Sequence, residues 1–191
     1  MPPVLSLGHL LGSKQGYHTY QRLNATMKHK TNSMRLLEAK KIPYQVYEFS
    51  AEIRSAEEVA EALGAPLSQI YKTLVVTREH GQPLLVMVPG DRMLDLKSLA
   101  KAVGEKKLRM ATHKEAEALT GLEVGGISPL SLLHKGFEVY ADEAILSQPK
   151  VYVSAGCRGI NLSLHPNDLL WITDAQVVKV TESQGDSEAA V

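Results

Sequence analysis

Lys72 stands in "QIYKTLVV", residues 69–76, where a buried strand would carry an apolar residue. If side chains alternate, Ile70, Lys72, Leu74 and Val76 share a face, and three of the four are strongly apolar. A lysine turned into such a face loses hydration and must find an anion or give up its proton. Its chemistry there is that of a cationic anchor for a phosphate, a carboxylate or a developing oxyanion. Two plainer arrangements produce the same letters. The stem can lie along the sheet with its head in solvent, or the register can put Tyr71, Thr73 and Val75 on the inner face instead.

Two further stretches offer backbone chemistry. In "EVGGISP", residues 123–129, Gly125 and Gly126 allow positive φ and close approach to a ligand, and Pro129 stiffens the exit. Such a loop can present bare N–H groups to a carbonyl oxygen or a phosphate; it also reads as a tight turn before a strand. In "VYVSAGCRGINLSL", residues 151–164, two strands flank Ser154-Ala155-Gly156-Cys157-Arg158-Gly159. Arg158 offers a planar donor fork suited to phosphate, or it is a surface arginine on a glycine-containing hairpin. Cys157 is the single cysteine. No histidine lies at a spacing that would activate it, so it reads as an inert thiol. The seven histidines are scattered, and no pair has metal-ligand spacing. The sequence therefore implies neither a metal nor a cofactor.

The elements that must hold these groups alternate along the chain. Thr31 caps a helix to about Lys40, and "YQVYEF" (44–49) is a strand. Ser55 and Glu58 form a capping box for a helix that Gly64 stops. Strands at 70–78 and 84–88 flank a hairpin at "HGQP". Asp95 opens a helix ending at Gly104, "KLRM" is a short strand, and Thr112 with Glu115 caps a helix ending at Gly121. Strands follow near 137–141, 150–154 and 160–164; Pro166 starts a short helix and "AQVVKV" is a last strand. Many hairpin-length links and few crossover helices predict an α+β (mixed α/β) fold, with a curved, barrel-like mixed sheet and helices packed outside.

With 191 residues, 44% of them hydrophobic, the chain fits one domain over 28–181. Residues 1–27 read as a flexible extension and 182–191 as a flexible tail. The 21 basic residues balance 21 acidic ones, so the whole protein exerts no net pull on nucleic acid or membrane. No apolar run approaches the roughly 20 residues that span a bilayer, and one cysteine suits a reducing cytoplasm. Locally the balance breaks. From Lys97 to Lys114 six basic residues face one acid, Glu105, which is either a landing patch for an RNA backbone or a solvated helix face.

"YKTLVV", "GGISPL" and "YVSAGCRG", in that order, resemble the YbaK family of aminoacyl-tRNA deacylases, which is similar to the editing domain of bacterial prolyl-tRNA synthetases. The resemblance spans about residues 28–180, includes "LDLKSLAKAVG" (94–104), and lies nearest the branch that clears Cys-tRNA(Pro). It implies Lys72 as the catalytic residue positioning the tRNA 3′ end. The Gly125–Pro129 loop (Gly125, Gly126, Ile127, Ser128, Pro129) surrounds the aminoacyl group, and Ser154, Gly156, Arg158, Phe49 and Asn161 complete the binding site. It implies aminoacyl-tRNA as substrate, tRNA(Pro) foremost, with prolyl-tRNA synthetase as an accessory partner. Phe49 and Asn161 stand where cysteine-clearing relatives often have tyrosine and aspartate, which leaves the amino acid removed open. No Ser–His–Asp or Cys–His set is present, so the chemistry falls to positioning and electrostatics. The nucleophile is then the substrate's thiol, a ribose hydroxyl or water. A non-catalytic aminoacyl-tRNA or nucleotide-binding module, or a regulatory protein of the same fold, is the competing expectation.

Overall fold

A computed structural model of the chain describes residues 30–183. The expected extension 1–27 lies outside the described residues, as does the expected tail 182–191 beyond residue 183. The elements in chain order are α1 (Asn32–Ala39), β1 (Gln45–Glu48), α2 (Ala56–Leu63), β2 (Tyr71–Arg78), β3 (Leu84–Pro89), β4 (Arg92–Leu94), α3 (Leu96–Val103), β5 (Leu108–Met110), α4 (His113–Thr120), α5 (Pro129–Leu132), β6 (Glu138–Asp142), β7 (Val151–Ser154), β8 (Ile160–Leu164), α6 (Pro166–Thr173), β9 (Gln176–Val178) and β10 (Thr181–Ser183).

The helix starts follow the capping chemistry. Thr31 accepts from the Met34 N–H, and Ser55–Glu58 and Thr112–Glu115 form full capping boxes. Gly64, Gly104 and Gly121 close their helices as read. The Ser55 box makes a local prediction. Its Oγ accepts from the Glu58 N–H at 3.1 Å while Glu58 Oε2 accepts from the Ser55 N–H at 3.1 Å. Ser55→Ala is expected to cost about 1 kcal/mol in a urea unfolding curve, with an unchanged slope.

The strands form a five-stranded sheet in the order β5-β2-β3-β6-β9, a three-stranded sheet β1-β8-β7 and a ribbon β10-β4. The pairs β3–β6 and β6–β9 are parallel and the other ladders antiparallel, so the sheet is mixed as predicted. Among the described residues the ladders do not close into a barrel. A single parallel bridge, Ile70–Tyr152, links the start of β2 to β7.

Burial explains the layering. The run "LLVMVP" of β3 is buried on both faces, which is why it shows no polar alternation. Leu85 and Met87 join the larger core, where the two sheets face each other through Val139, Val153 and Leu162 and are closed by Leu37, Leu130 and Leu169 of the helices. Leu84, Val86 and Val88 face the other way, with Val76 and Leu74, against Leu99 and Ala100 of α3. A third cluster, Tyr47, Ile70 and Tyr152 with Phe49 beside them, lies under α2. Three elements escaped the sequence reading. β4 and β10 are three residues each, too short to show a period. α5 begins at Pro129, which takes the first helical turn where its missing N–H is harmless.

Candidate functional site

Strand period places Lys72. Tyr71 and Val75 belong to the larger core, whereas Ile70, Leu74 and Val76 lie in the clusters on the opposite face. Lys72 alternates with these last three, so its side chain emerges toward α2 and α3. It is half-buried, and its Nζ donates to the carbonyls of Gly90 at 3.2 Å and Arg92 at 3.0 Å. Burial lowers the ammonium's pKa, and the carboxylates of Glu57 and Asp91 oppose that shift. An ammonium has three protons. Two are fixed by the turn between β3 and β4, which aims the charge and leaves one donor for a ligand. That turn was the missing partner in the sequence reading; "PGDR" directly after a strand is its one signal.

The Ile70–Tyr152 bridge sets what faces Lys72. Bridged residues project to the same side, and both stand in the cluster under α2. Lys72 and Ser154 are each two residues beyond the bridge on parallel strands, so they emerge on that same side. Past the bridge no ladder joins β2 to β7 among the described residues. β2 runs on with β3 and β7 with β8, so the two strands part beyond the bridge, and the gap between them is the candidate cleft. Asn161 is paired across both neighbours, Tyr47 and Ser154, and shares their face. Phe49, whose N–H donates to the Gly159 carbonyl at 2.9 Å, packs against the same cluster. Lys72, Phe49, Ser154 and Asn161 thus come together around an apolar floor of Ile70, Tyr47 and Tyr152. The last two rings meet edge to face at 5.2 Å and were not singled out in the sequence, where they read as ordinary strand aromatics.

The two glycine loops form one unit. A Cβ on Gly126 would lie 2.9 Å from the Cα and carbonyl carbon of Cys157 and 3.0 Å from the Arg158 nitrogen, so only glycine permits this approach. Arg158 ties the loops from the other side. Its Nε donates to the Val124 carbonyl at 2.6 Å, with Glu123 at 3.5 Å and Glu117 at 4.0 Å from its terminal nitrogens. Its Nε is therefore spent on the first loop, while its terminal nitrogens lie within ion-pair distance of two carboxylates without a hydrogen bond. Ser154 is also engaged: its Oγ accepts from the Gly156 N–H at 3.2 Å and donates toward the Cys157 carbonyl at 3.4 Å. Behind Gly156, Ser131 Oγ shares a buried 2.7 Å hydrogen bond with Ser33 Oγ.

The first loop presents backbone and little else. Ile127, Ser128 and Pro129 are buried, Ile127 in the larger core. The Gly126 N–H is spent on the Glu123 carbonyl at 2.8 Å, while the amides of Gly125, Ile127 and Ser128 donate to no acceptor among the described residues. Ser128 Oγ is likewise buried without a partner. Lys72 makes no hydrogen bond to either loop; its partners, Gly90 and Arg92, follow the neighbouring strand β3. Cys157 is half-buried, and burial raises its thiol pKa, which makes it a poor nucleophile. Among the described residues no three His, Cys, Asp or Glu side chains gather to hold a metal ion, and no helix is long and apolar enough to cross a membrane. A cavity of about 260 Å³ lies elsewhere, behind α5, between Leu85, Leu132, Phe137 and Ile172.

A family model described as an aminoacyl-tRNA editing domain matches residues 50–172, which include the lysine strand and both glycine loops. The chain belongs to this editing family. It is 42% identical over 157 residues, 81% of its own length and 95% of the relative, to EbsC of Enterococcus faecalis, described as a candidate Cys-tRNA(Pro)/Cys-tRNA(Cys) deacylase. It is 37% identical over 82 residues to a proline–tRNA ligase of Thermodesulfovibrio yellowstonii, which covers 43% of the chain and 14% of the ligase. A crystal structure of a protein described as a candidate trans-editing enzyme for prolyl-tRNA synthetase superposes with a TM-score of 0.69 at 35% identity. That match covers 79% of this chain and 95% of the other. The YbaK resemblance read from three short motifs is thus the family that whole-chain similarity supports, and the editing fold is the α+β fold described above.

Proposed function

We propose that this chain is a trans-acting editing enzyme that removes a wrongly attached amino acid, cysteine foremost, from tRNA(Pro) by cleaving the aminoacyl ester. One observation carries the reading. Lys72 and Ser154 emerge on one face where β2 and β7 part, and the glycine loop locked behind Ser154 has unspent amides. In this arrangement the Lys72 ammonium holds the terminal phosphate or ribose, and the amides of Gly125, Ile127 and Ser128 polarise the ester carbonyl. Phe49 and the tyrosine pair give the amino-acid side chain an apolar wall.

Among the described residues the site holds no activated nucleophile. Its hydroxyl at Ser154 is engaged and its thiol at Cys157 is protonated and half-buried. The substrate's own cysteine sulfur fits the role. The sulfur attacks the carbonyl carbon, a C–S bond forms, the C–O bond to the ribose breaks, and the ribose oxygen takes up the thiol's proton. The products are a thiolactone and a free tRNA end. An apolar pocket discriminates by only about 1–3 kcal/mol per methylene, so reactivity of the side chain supplies selectivity that shape does not.

The test is a deacylation panel on tRNA(Pro) charged with cysteine, serine, alanine and proline. Cys-tRNA(Pro) is expected to be cleaved at least about 100-fold faster than the serine isostere. Equal rates for cysteine and alanine would remove the thiol from the mechanism. No turnover on any charged tRNA, with retained binding, would leave the non-catalytic module.

A further inference from the structure

We propose that the exposed lysines on α3, on the approach to β5 and on α4 (Lys97, Lys101, Lys106, Lys107 and Lys114) form a docking surface for the phosphate backbone of an RNA whose 3′ end enters the cleft. The proposal rests on the reading of the substrate as a charged tRNA and adds where the rest of that RNA lies. All five side chains are exposed, and none has a carboxylate within ion-pair distance among the described residues. The neighbouring charges are accounted for. Arg109 pairs with Glu115 through two 2.8 Å bonds, and Glu105, the one acid in the stretch, turns to Arg78 at 3.4 Å. Lys97 and Lys101 lie four apart on α3, where like charges oppose the helix rather than support it. Lys101 meets the negative end of α3 in its last turn, yet no carboxylate pairs with any of the five among the described residues, and a polyanion would.

The location fits the cleft. α3 packs through Leu99 and Ala100 on the sheet face that carries Lys72, and it follows directly on β4, whose Arg92 carbonyl accepts from the Lys72 ammonium. β5 is the edge strand and pairs with β2 at Val76–Arg78; α3 lies on the Lys72 face and α4 on the other, so the basic residues wrap this edge of the sheet. The six steps from Lys72 to Arg78 make about 20 Å, the rise of about six phosphates along one strand of a duplex. A chain of zero net charge can thus orient an RNA locally without holding it tightly.

The test compares the full chain with a variant carrying Lys→Gln at all five positions, and with a control carrying Lys40→Gln and Lys179→Gln. Uncharged tRNA binding is followed by fluorescence anisotropy between 50 and 200 mM salt, and deacylation is measured on charged tRNA and on an aminoacylated CCA trinucleotide. The five-position variant is expected to lose two to four from the log–log salt slope and to raise KM for charged tRNA at least tenfold. Its kcat and its rate on the trinucleotide should stay within twofold, and the control should match the wild type. An unchanged slope and KM would overturn the proposal. So would an equal loss on the trinucleotide, or unchanged RNA binding with lost binding to prolyl-tRNA synthetase, which would make the surface a protein interface. A wild-type chain that cleaves no charged tRNA would sink the deacylase reading alone, since the anisotropy arm still judges the surface.

Discussion

Replacing Lys72 by methionine is expected to lower kcat/KM for ester cleavage by about 100- to 1,000-fold while the protein stays folded. Methionine keeps most of the stem that packs along the sheet and removes only the charge and its donors. The loss assigned to one preorganised electrostatic contact at a reacting centre is about 3–4 kcal/mol, which sets the range. The structural cost is smaller. Lys72 donates to two carbonyls, Gly90 and Arg92, at the rim of the cleft. The side chain is half-exposed, so water can take over both acceptors, and a loss of about 1–2 kcal/mol is expected. In a domain of this size that is a fall of a few degrees in melting temperature. Lys72→Arg keeps the charge but not the point geometry, and should recover the melting temperature more fully than the rate. The alkaline limb separates the roles further. Burial lowers the Lys72 pKa, so the charged form is lost as pH rises through a value below that of an ordinary lysine. After subtraction of base hydrolysis, the wild-type rate should fall there and the Lys72→Arg rate should not. A methionine variant within threefold of wild type would take Lys72 out of the chemistry.

What the sequence made legible was local. Caps at Thr31, Ser55, Asp95 and Thr112 fixed where helices begin, because side-chain oxygens meeting orphan N–H groups act within four residues. Lys72 was legible as an anomaly in a period of two. Its partners were not, since they sit 18 and 20 residues away, and the "PGDR" turn signal does not say which side chain the turn will meet. The two glycine stretches could be read separately as places of close backbone approach, yet that they approach each other is a tertiary fact. The same limit applies to Arg158. A guanidinium suited to phosphate is equally suited to a carbonyl and two carboxylates, and the fold gives it those. The ladder's failure to close reflects one bridge at Ile70–Tyr152 in place of a full pairing, and single bridges leave no sequence trace.

That tertiary fact makes the second large prediction. Gly126→Ala places a methyl carbon 2.9 Å from two backbone atoms of Cys157 and 3.0 Å from the Arg158 nitrogen. Backbone atoms cannot swing aside as a flexible side chain can, so the loops must part by a sizeable fraction of an ångström. The amides of Gly125, Ile127 and Ser128 would move with them, away from Ser154 and the face it shares with Lys72. Displacements of about 1 Å cost on the order of 100-fold where catalysis rests on positioning, and the proposed mechanism relies on positioning in place of a nucleophile. The expected result is a fall in kcat of about 30- to 100-fold, with a stability loss of about 1–3 kcal/mol from overpacking. Ile145→Val gives the matched control. Ile145 is fully buried in the larger core, so removing one methyl costs about 1 kcal/mol without touching either loop, and its kcat should equal wild type. If Gly126→Ala loses no more activity than Ile145→Val, the locked loops are packing alone, and the ester carbonyl must be polarised from elsewhere in the cleft.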